Sequence, residues 1–240
     1  MSSSPRFLDA GEAALVVEYG TTVDPAIHDR VMALDAALAA RALLGIRETV
    51  PTFRSLMIHY DPLLLDRATL VEAVESLGLA PKAAAARKRW TMPCCYDSEF
   101  GEDLTLVGET LKLSPERVVA LHAGATFRAY MYGFAPGFCY LGGLPKELTI
   151  SRRVTPRPPI APQTIMIADG MSIITTISMP TGWWLVGRTP ERMFSRNRTP
   201  AFLAEAGDEI RFEQIDRATY EALDARAEAG EIVARSEPIP

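Results

Sequence analysis

The sequence predicts two domains, a small α+β domain over residues 1–89 and a mainly β domain over residues 90–240. Three observations carry this reading. The 240 residues exceed the roughly 100–150 that a single domain usually holds. Strand and helix patterns alternate through residues 12–78, whereas from Phe127 onward short strand patterns follow one another between turn residues. Between them lies an alanine-rich, basic stretch, residues 81–89, where Lys82, Arg87, Lys88 and Arg89 crowd together. It reads as a solvated linker, with an anion-binding role as the alternative.

Residues 12–19 form a strand-like run ended by Gly20. Asp24 and Pro25 then open a helix: the carboxylate caps free N–H groups, and proline at the first position gives up a donor that would go unused there. Ile27, Val31, Leu34 and Leu38 line one face of that helix, and Gly45 ends it. Over residues 52–60, Leu56, Ile58 and Tyr60 alternate with Ser55, Met57 and His59, as in a half-buried strand. Residues 47–60 are long enough to fold as a hairpin. A second helix starts at Asp66, turns Leu70, Val74 and Leu77 inward and stops at Gly78. This β-α-β-α succession suits a ferredoxin-like α+β sandwich.

The second part begins near Trp90. Residues 101–113 read as helical through Leu104, Val107, Gly108 and Leu111, and Ser114 with Pro115 caps and starts another helix. Asp169-Gly170, between the apolar runs 165–168 and 171–174, is the strongest hairpin signal in the chain. Residues 183–186 and 209–212 supply further strands, the latter after the Gly207-Asp208 turn. Many short strands separated by turns indicate a barrel or a sandwich. Residues 216–228 form a closing amphipathic helix, with frayed residues beyond it.

Residues 130–145 combine Tyr130, Tyr132, Phe134, Phe138 and Tyr140 with Gly133, Pro136, Gly137, Gly142 and Gly143. The rings alternate as on one face of a strand, yet the glycines and prolines interrupt a long ladder. The segment reads as a shaped loop presenting an apolar wall to a pocket or partner, or else as a core strand with a buried β-bulge.

A net charge of −5 argues against nucleic-acid partners, which generally require a basic face. The N-terminus lacks a signal-peptide pattern and no segment offers the apolar length to span a bilayer, so a cytoplasmic protein with no membrane partner is expected. Cys94, Cys95 and Cys139 are odd in number and two are adjacent, which fits reduced thiols; Cys139 reads as a buried packing residue. No metal-ligand spacing appears, and no metal is expected. The phosphate-cradling and nucleophile-elbow loops of self-contained enzymes are also missing, so this chain is expected to act with a partner.

The run Gly133-Phe134-Ala135-Pro136-Gly137-Phe138-Cys139-Tyr140-Leu141-Gly142-Gly143-Leu144-Pro145 resembles the signature of the allophanate hydrolase subunit 1 family (carboxyltransferase subdomain C/D), whose members include the 5-oxoprolinase B subunit and a bacterial sporulation-kinase inhibitor. Other blocks follow the family's order. Val119-Ala120-Leu121-His122 precedes the run. Thr155-Pro156-Arg157, Ile160-Ala161-Pro162, Pro180-Thr181-Gly182-Trp183-Trp184-Leu185-Val186-Gly187-Arg188-Thr189-Pro190 and Ala206-Gly207-Asp208-Glu209-Ile210-Arg211-Phe212 come after it. The resemblance covers residues 91–215 and implies a cyclophilin-like β-barrel. The chain departs from the pattern in three places. Ala161-Pro162-Gln163-Thr164 stands where the family has Pro-Ala-Gly-Ser, Pro180-Thr181-Gly182-Trp183 where it has Pro-Gly-Gly-Trp, and Thr175-Thr176 where it has Tyr-Pro. Gln163 and Thr181 thus add side chains and restrict φ where glycine was free, which implies a reshaped pocket, a changed activity, or ordinary drift.

By this resemblance the chain is a small subunit that pairs with a larger, allophanate hydrolase subunit 2-like protein and acts with ATP on a small anionic amide or lactam. The expected activity is that of the 5-oxoprolinase B subunit, opening 5-oxoproline to glutamate. Phe138, Tyr140, Arg157, Gln163, Trp183 and Arg188 are the expected substrate-binding residues. His122 is the candidate for proton transfer or substrate orientation, against a packing or capping role. Arg152, Arg153 and Arg157 lie close together without an acid among them, and Arg188, Arg192, Arg196 and Arg198 form a second group. Folded together the two groups would make an anion site, with Arg192, Arg196 and Arg198 read as surface charge. Two alternatives stay open: a binding module that docks on a sensor histidine kinase through the aromatic loop, and an accessory subunit of allophanate or urea metabolism.

Overall fold

The computed structural model describes residues 4–77 and 87–239. These fall into two compact units, Met1–Ala85 and Ala86–Pro240.

In the first unit, strands β1 (Arg6–Asp9) and β2 (Ala14–Glu18) precede helix α1 (Pro25–Arg41); β3 (Ile46–Pro51) and β4 (Ser55–Tyr60) precede helix α2 (Arg67–Ser76). The sheet is antiparallel throughout, in the order β1-β2-β4-β3. Asp24 Oδ1 accepts from the amides of Ala26 and Ile27, and Asp66 accepts from Thr69, so both helices start where their capping carboxylates require. The hydrophobic face of α1 ends earlier than Gly45 suggests: the chain leaves the helix at Ala42, which takes the left-handed conformation with φ 47°. Leu15, Val17, Leu56 and Ile58 from the sheet meet Val31, Leu34, Leu38, Leu70 and Val74 from the helices in one core. Strand β1 escapes a reading by pattern, because only Phe7 of its four residues packs against that core. The stop at Gly78 and Lys82 lie outside the described residues.

The second unit opens with β5 (Arg87–Cys95), then α3 (Leu104–Leu111), α4 (Pro115–Ala123), β6 (Phe127–Tyr132) and β7 (Cys139–Gly142). After a short 3-10 turn come β8 (Arg157–Ile160), β9 (Thr164–Ala168), β10 (Met171–Ile174), β11 (Met179–Thr181) and β12 (Trp184–Arg188). The chain continues with β13 (Glu209–Ile215), α5 (Arg217–Glu228) and β14 (Arg235–Ile239). Strands run in the order β12-β9-β10-β7-β6-β13-β5, and a pairing of Arg188 with Cys95 returns β12 to β5, closing a seven-stranded barrel. All barrel pairings are antiparallel except β5 with β13. The alternation along β9 divides two cores: Ile165 and Ile167 join Met92, Phe127, Leu141, Val186 and Phe212, while Met166 and Ala168 face a second cluster with Phe138 and Trp183. Strands β8 and β11 pair as a separate two-stranded ribbon, whose Ile160 belongs to the second cluster.

Two expectations need correction, and one pair of alternatives is decided. Arg87, Lys88 and Arg89 belong to strand β5, not to a linker: Arg89 pairs with Glu209 at 2.7 Å and Glu237 at 3.2 Å, acids distant in sequence. The C-terminal residues are not frayed, because β14 pairs with β5 from Arg235 to Ile239. Residues 130–145 are two strands joined by a tight turn, and the register shift between Ala129 and Met131 makes Tyr130 the bulge. The Asp169-Gly170 hairpin forms as expected, with both residues at positive φ, 50° and 78°.

Candidate functional site

The turn between β6 and β7 closes through Gly133 N–H donating to the Phe138 carbonyl at 3.1 Å and Phe138 N–H donating to the Ala135 carbonyl at 3.0 Å. Gly137 has φ 75°, and a Cβ there would lie 2.4 Å from Cβ of Phe194, so only glycine fits. Thr176 Oγ1 donates to the Pro136 carbonyl at 2.8 Å and ties the turn to the chain leaving β10. Phe134 stands at the tip with φ 71° and 69% exposure. Its ring lies 5.2 Å from that of Phe138, which lies 5.4 Å from Tyr140. Phe138 and Trp183 are buried in the second cluster with Ile160, Met166, Ile173 and Leu185, and Tyr140 packs against it. Three of the expected binding residues thus converge, with an exposed ring at the edge. Ile177 and Phe202 are also exposed beside this turn: Ile177 follows Thr176, and Phe202 packs 5.1 Å from Phe194. Together with Phe134 they form an apolar rim.

Gln163 lies half-buried in the connection between β8 and β9. Its backbone takes the left-handed conformation, φ 60°, with its N–H donating to the Thr175 carbonyl at 2.8 Å and its carbonyl accepting from Thr189 N–H at 3.1 Å. Thr181 is different. It is buried at an ordinary φ, and its Oγ1 accepts from Trp183 N–H at 3.0 Å, so threonine there adds a hydrogen bond without strain.

The arginines are not assembled as one anion site. Asp103, fully buried, accepts from Leu185 N–H at 2.9 Å and from Arg153 at 3.1 Å, and lies 3.4 Å from Arg157. Arg157 also pairs with Glu102 at 3.0 Å, and Arg152 with Asp169 at 3.0 Å. The expected anion site is therefore occupied by the protein's own carboxylates, which reach the run from outside it. Arg188 directs its guanidinium over the Phe100 ring at 4.8 Å, away from this group. Of the remaining cluster only Arg196 is surface charge: Arg192 pairs with Asp224 at 2.6 Å, and Arg198 with the buried Glu191 at 3.0 Å. Asp103 is the residue that the sequence gives no sign of: it lies within residues 101–113, read as helical, and its partner Arg153 comes 50 positions later.

His122 is sealed in the barrel core. Nδ1 meets Tyr96 Oη at 2.9 Å, Nε2 meets Ser172 Oγ at 3.3 Å, and the ring stacks on Phe212 at 4.7 Å. Burial lowers its pKa to about 3. With both ring nitrogens hydrogen-bonded to core hydroxyls and no solvent contact, the imidazole sits where the packing reading expects it. Cys139 is equally enclosed: burial pushes its thiol up to about 12, far from a reactive thiolate. Among the described residues, no group of His, Cys, Asp and Glu side chains is arranged to hold a metal, and no helix is long and apolar enough to cross a membrane.

A closed barrel with an aromatic-lined cluster beside it, joined to a small four-stranded α+β unit, defines the class. The family described as carboxyltransferase domain, subdomain C and D, matches residues 5–204, and the chain belongs to that family. The 5-oxoprolinase B subunit of Bacillus subtilis is 33% identical over 224 residues, covering 88% of this chain and 93% of that protein. The protein of the same name from Haemophilus influenzae is 34% identical over 168 residues, 70% of this chain and 78% of that one. Among solved structures, TTHA0988 superposes with a TM-score of 0.77 at 31% identity over 85% of this chain. This chain spans 40% of the length of that one. The urea carboxylase of Kluyveromyces lactis shares the fold, with a TM-score of 0.76 at 16% identity over 98% of this chain and 24% of its own.

Proposed function

We infer that this chain is the small subunit of an ATP-dependent amidohydrolase complex that opens a lactam, 5-oxoproline, to glutamate, and that it works in the cytoplasm with a larger partner. The observation that carries this reading is the match, near full-length for the Bacillus subtilis protein, to proteins named as the 5-oxoprolinase B subunit. The four-stranded unit reads as a ferredoxin-like sheet whose fourth strand comes from an N-terminal hairpin, and the barrel as a cyclophilin-like one. Opening the ring breaks the C–N bond and adds water across it, oxygen to the carbonyl carbon and hydrogen to nitrogen. Phe138, Tyr140 and Trp183 suit the packing of a small, flat ring and the exclusion of bulk water around it. The apolar rim of Phe134, Ile177 and Phe202 suits contact with the larger partner.

The arginine group nearest the cluster is already held by acids, Arg152 by Asp169, Arg153 by Asp103 and Arg157 by Glu102. The ATP site is accordingly assigned to the partner. Co-expression with the larger subunit, followed by measurement of 5-oxoproline-dependent phosphate release, tests the reading. Activity is expected from the pair and from neither protein alone. A pair that releases no phosphate, with a sensor kinase inhibited by this chain instead, would make it a regulatory module.

A further inference from the structure

We propose that, independently of the activity above, the open face of the four-stranded sheet in the first unit is a dimer interface covered by a second copy of this chain. An antiparallel sheet with one solvated face normally turns apolar residues inward and polar residues outward. Here the inward set is Leu15, Val17, Leu56 and Ile58, with Phe7 packed against it, and both helices meet it in one core. The outward set is apolar as well. Cross-strand pairing places Leu8 beside Val16, Val16 beside Met57 and Met57 beside Val50. These four residues form one unbroken apolar row across all four strands, on the side away from the helices. Leu8 is 41% exposed, and Val16, Met57 and Val50 are half-buried.

The flanking charges name the occupant. On one side of the row stand Arg6, Glu18 and Ser55, with Arg54 at the turn into β4; on the other stand Ala14, His59 and Glu48. Glu18 pairs with Arg6 and lies 3.8 Å from Arg54, so two cations share one acid and that flank is net positive. Glu48 is exposed and makes no ion pair among the described residues, so the opposite flank is negative. A two-fold axis along the apolar row lays the row on its own copy and brings each positive flank over the other copy's negative one. Arg54 of each copy then faces Glu48 of the other, and the face is complementary to itself. Strands about 4.8 Å apart and about five residues long give it a span of roughly 20 by 17 Å. That size belongs to a reversible dimer rather than a permanent one.

Sedimentation velocity of the full chain from about 5 to 200 µM tests this, with thermal unfolding as the check on folding. Wild type is expected to pass from monomer to dimer as concentration rises. Met57→Lys and Leu8→Lys, which set a charge in the row, should weaken dimerisation about tenfold or more with little change in Tm. Glu48→Arg and Arg54→Glu should each weaken it several-fold, and the double variant, which restores opposite charges across the axis, should recover it. A chain that stays monomeric throughout overturns the inference, as does a dimer indifferent to both lysines or a double variant no stronger than the single ones. A monomeric wild type whose Met57→Lys variant no longer binds the larger subunit overturns it too, and assigns the face to that subunit.

Discussion

His122 shows how far a residue's identity can mislead about its role. Its motif suggested chemistry, but the structure places it between Tyr96, Ser172 and Phe212 in the barrel core. The consequence is a pH dependence of stability. In the folded chain the imidazole pKa is lowered to about 3, whereas the unfolded chain regains the ordinary value near 6.5. Between these values the unfolded state binds more protons, so stability is complete above pH 6.5 and is lost as pH falls toward 3. For one proton the slope approaches about 1.4 kcal/mol per pH unit. Urea titrations from pH 7 to pH 4 should show His122→Asn starting less stable but losing stability more gradually than wild type; parallel lines would show that the histidine does not titrate on unfolding. Other single residues were more legible. Cys139 reads as buried packing from its neighbours and is that. The first arginine run misled because Asp103, its partner, comes from 50 positions earlier in the chain, and the second because Glu191, inside the run, is buried against Arg198.

Elements whose signals are local were readable: the Ser114 cap, with Arg117 N–H donating to its Oγ at 3.2 Å, and the Asp169-Gly170 hairpin. Those defined by a distant partner were not. Strand β14 carries four exposed residues out of five, a pattern that resembles a tail until β5 is placed beside it. What fastens its approach is Glu191, whose Oε2 accepts from Val233 N–H at 2.6 Å and Ala234 N–H at 2.8 Å while Oε1 meets Arg198. Glu191→Ala would leave Arg198, with its side chain only 5% exposed, uncompensated and three amides, those of Arg192, Val233 and Ala234, without acceptors. The expected cost is about 3–5 kcal/mol, read as a lower denaturation midpoint with an unchanged m-value. Glu191→Gln should lose less, since it keeps an acceptor for those amides; equal losses would assign the effect to packing alone.

At the scale of the molecule, the division into two domains was legible because each half has its own periodicity, and each has its own core. Expressed separately, residues 4–77 and residues 87–239 are each expected to unfold cooperatively, and a fragment that gives no transition by circular dichroism would show that it depends on the other. Barrel closure was legible only through the family resemblance, since no local pattern announces that β12 returns to β5. The parallel seam has a consequence for how the protein is made. Arg89 meets Glu209, 120 positions further along. At a translation rate of about 5–20 residues per second, the first barrel strand leaves the ribosome roughly ten seconds before its parallel neighbour exists. Over that interval its apolar residues Trp90, Met92 and Cys94 have no finished barrel to enter, which makes the nascent chain a natural client for a holding chaperone.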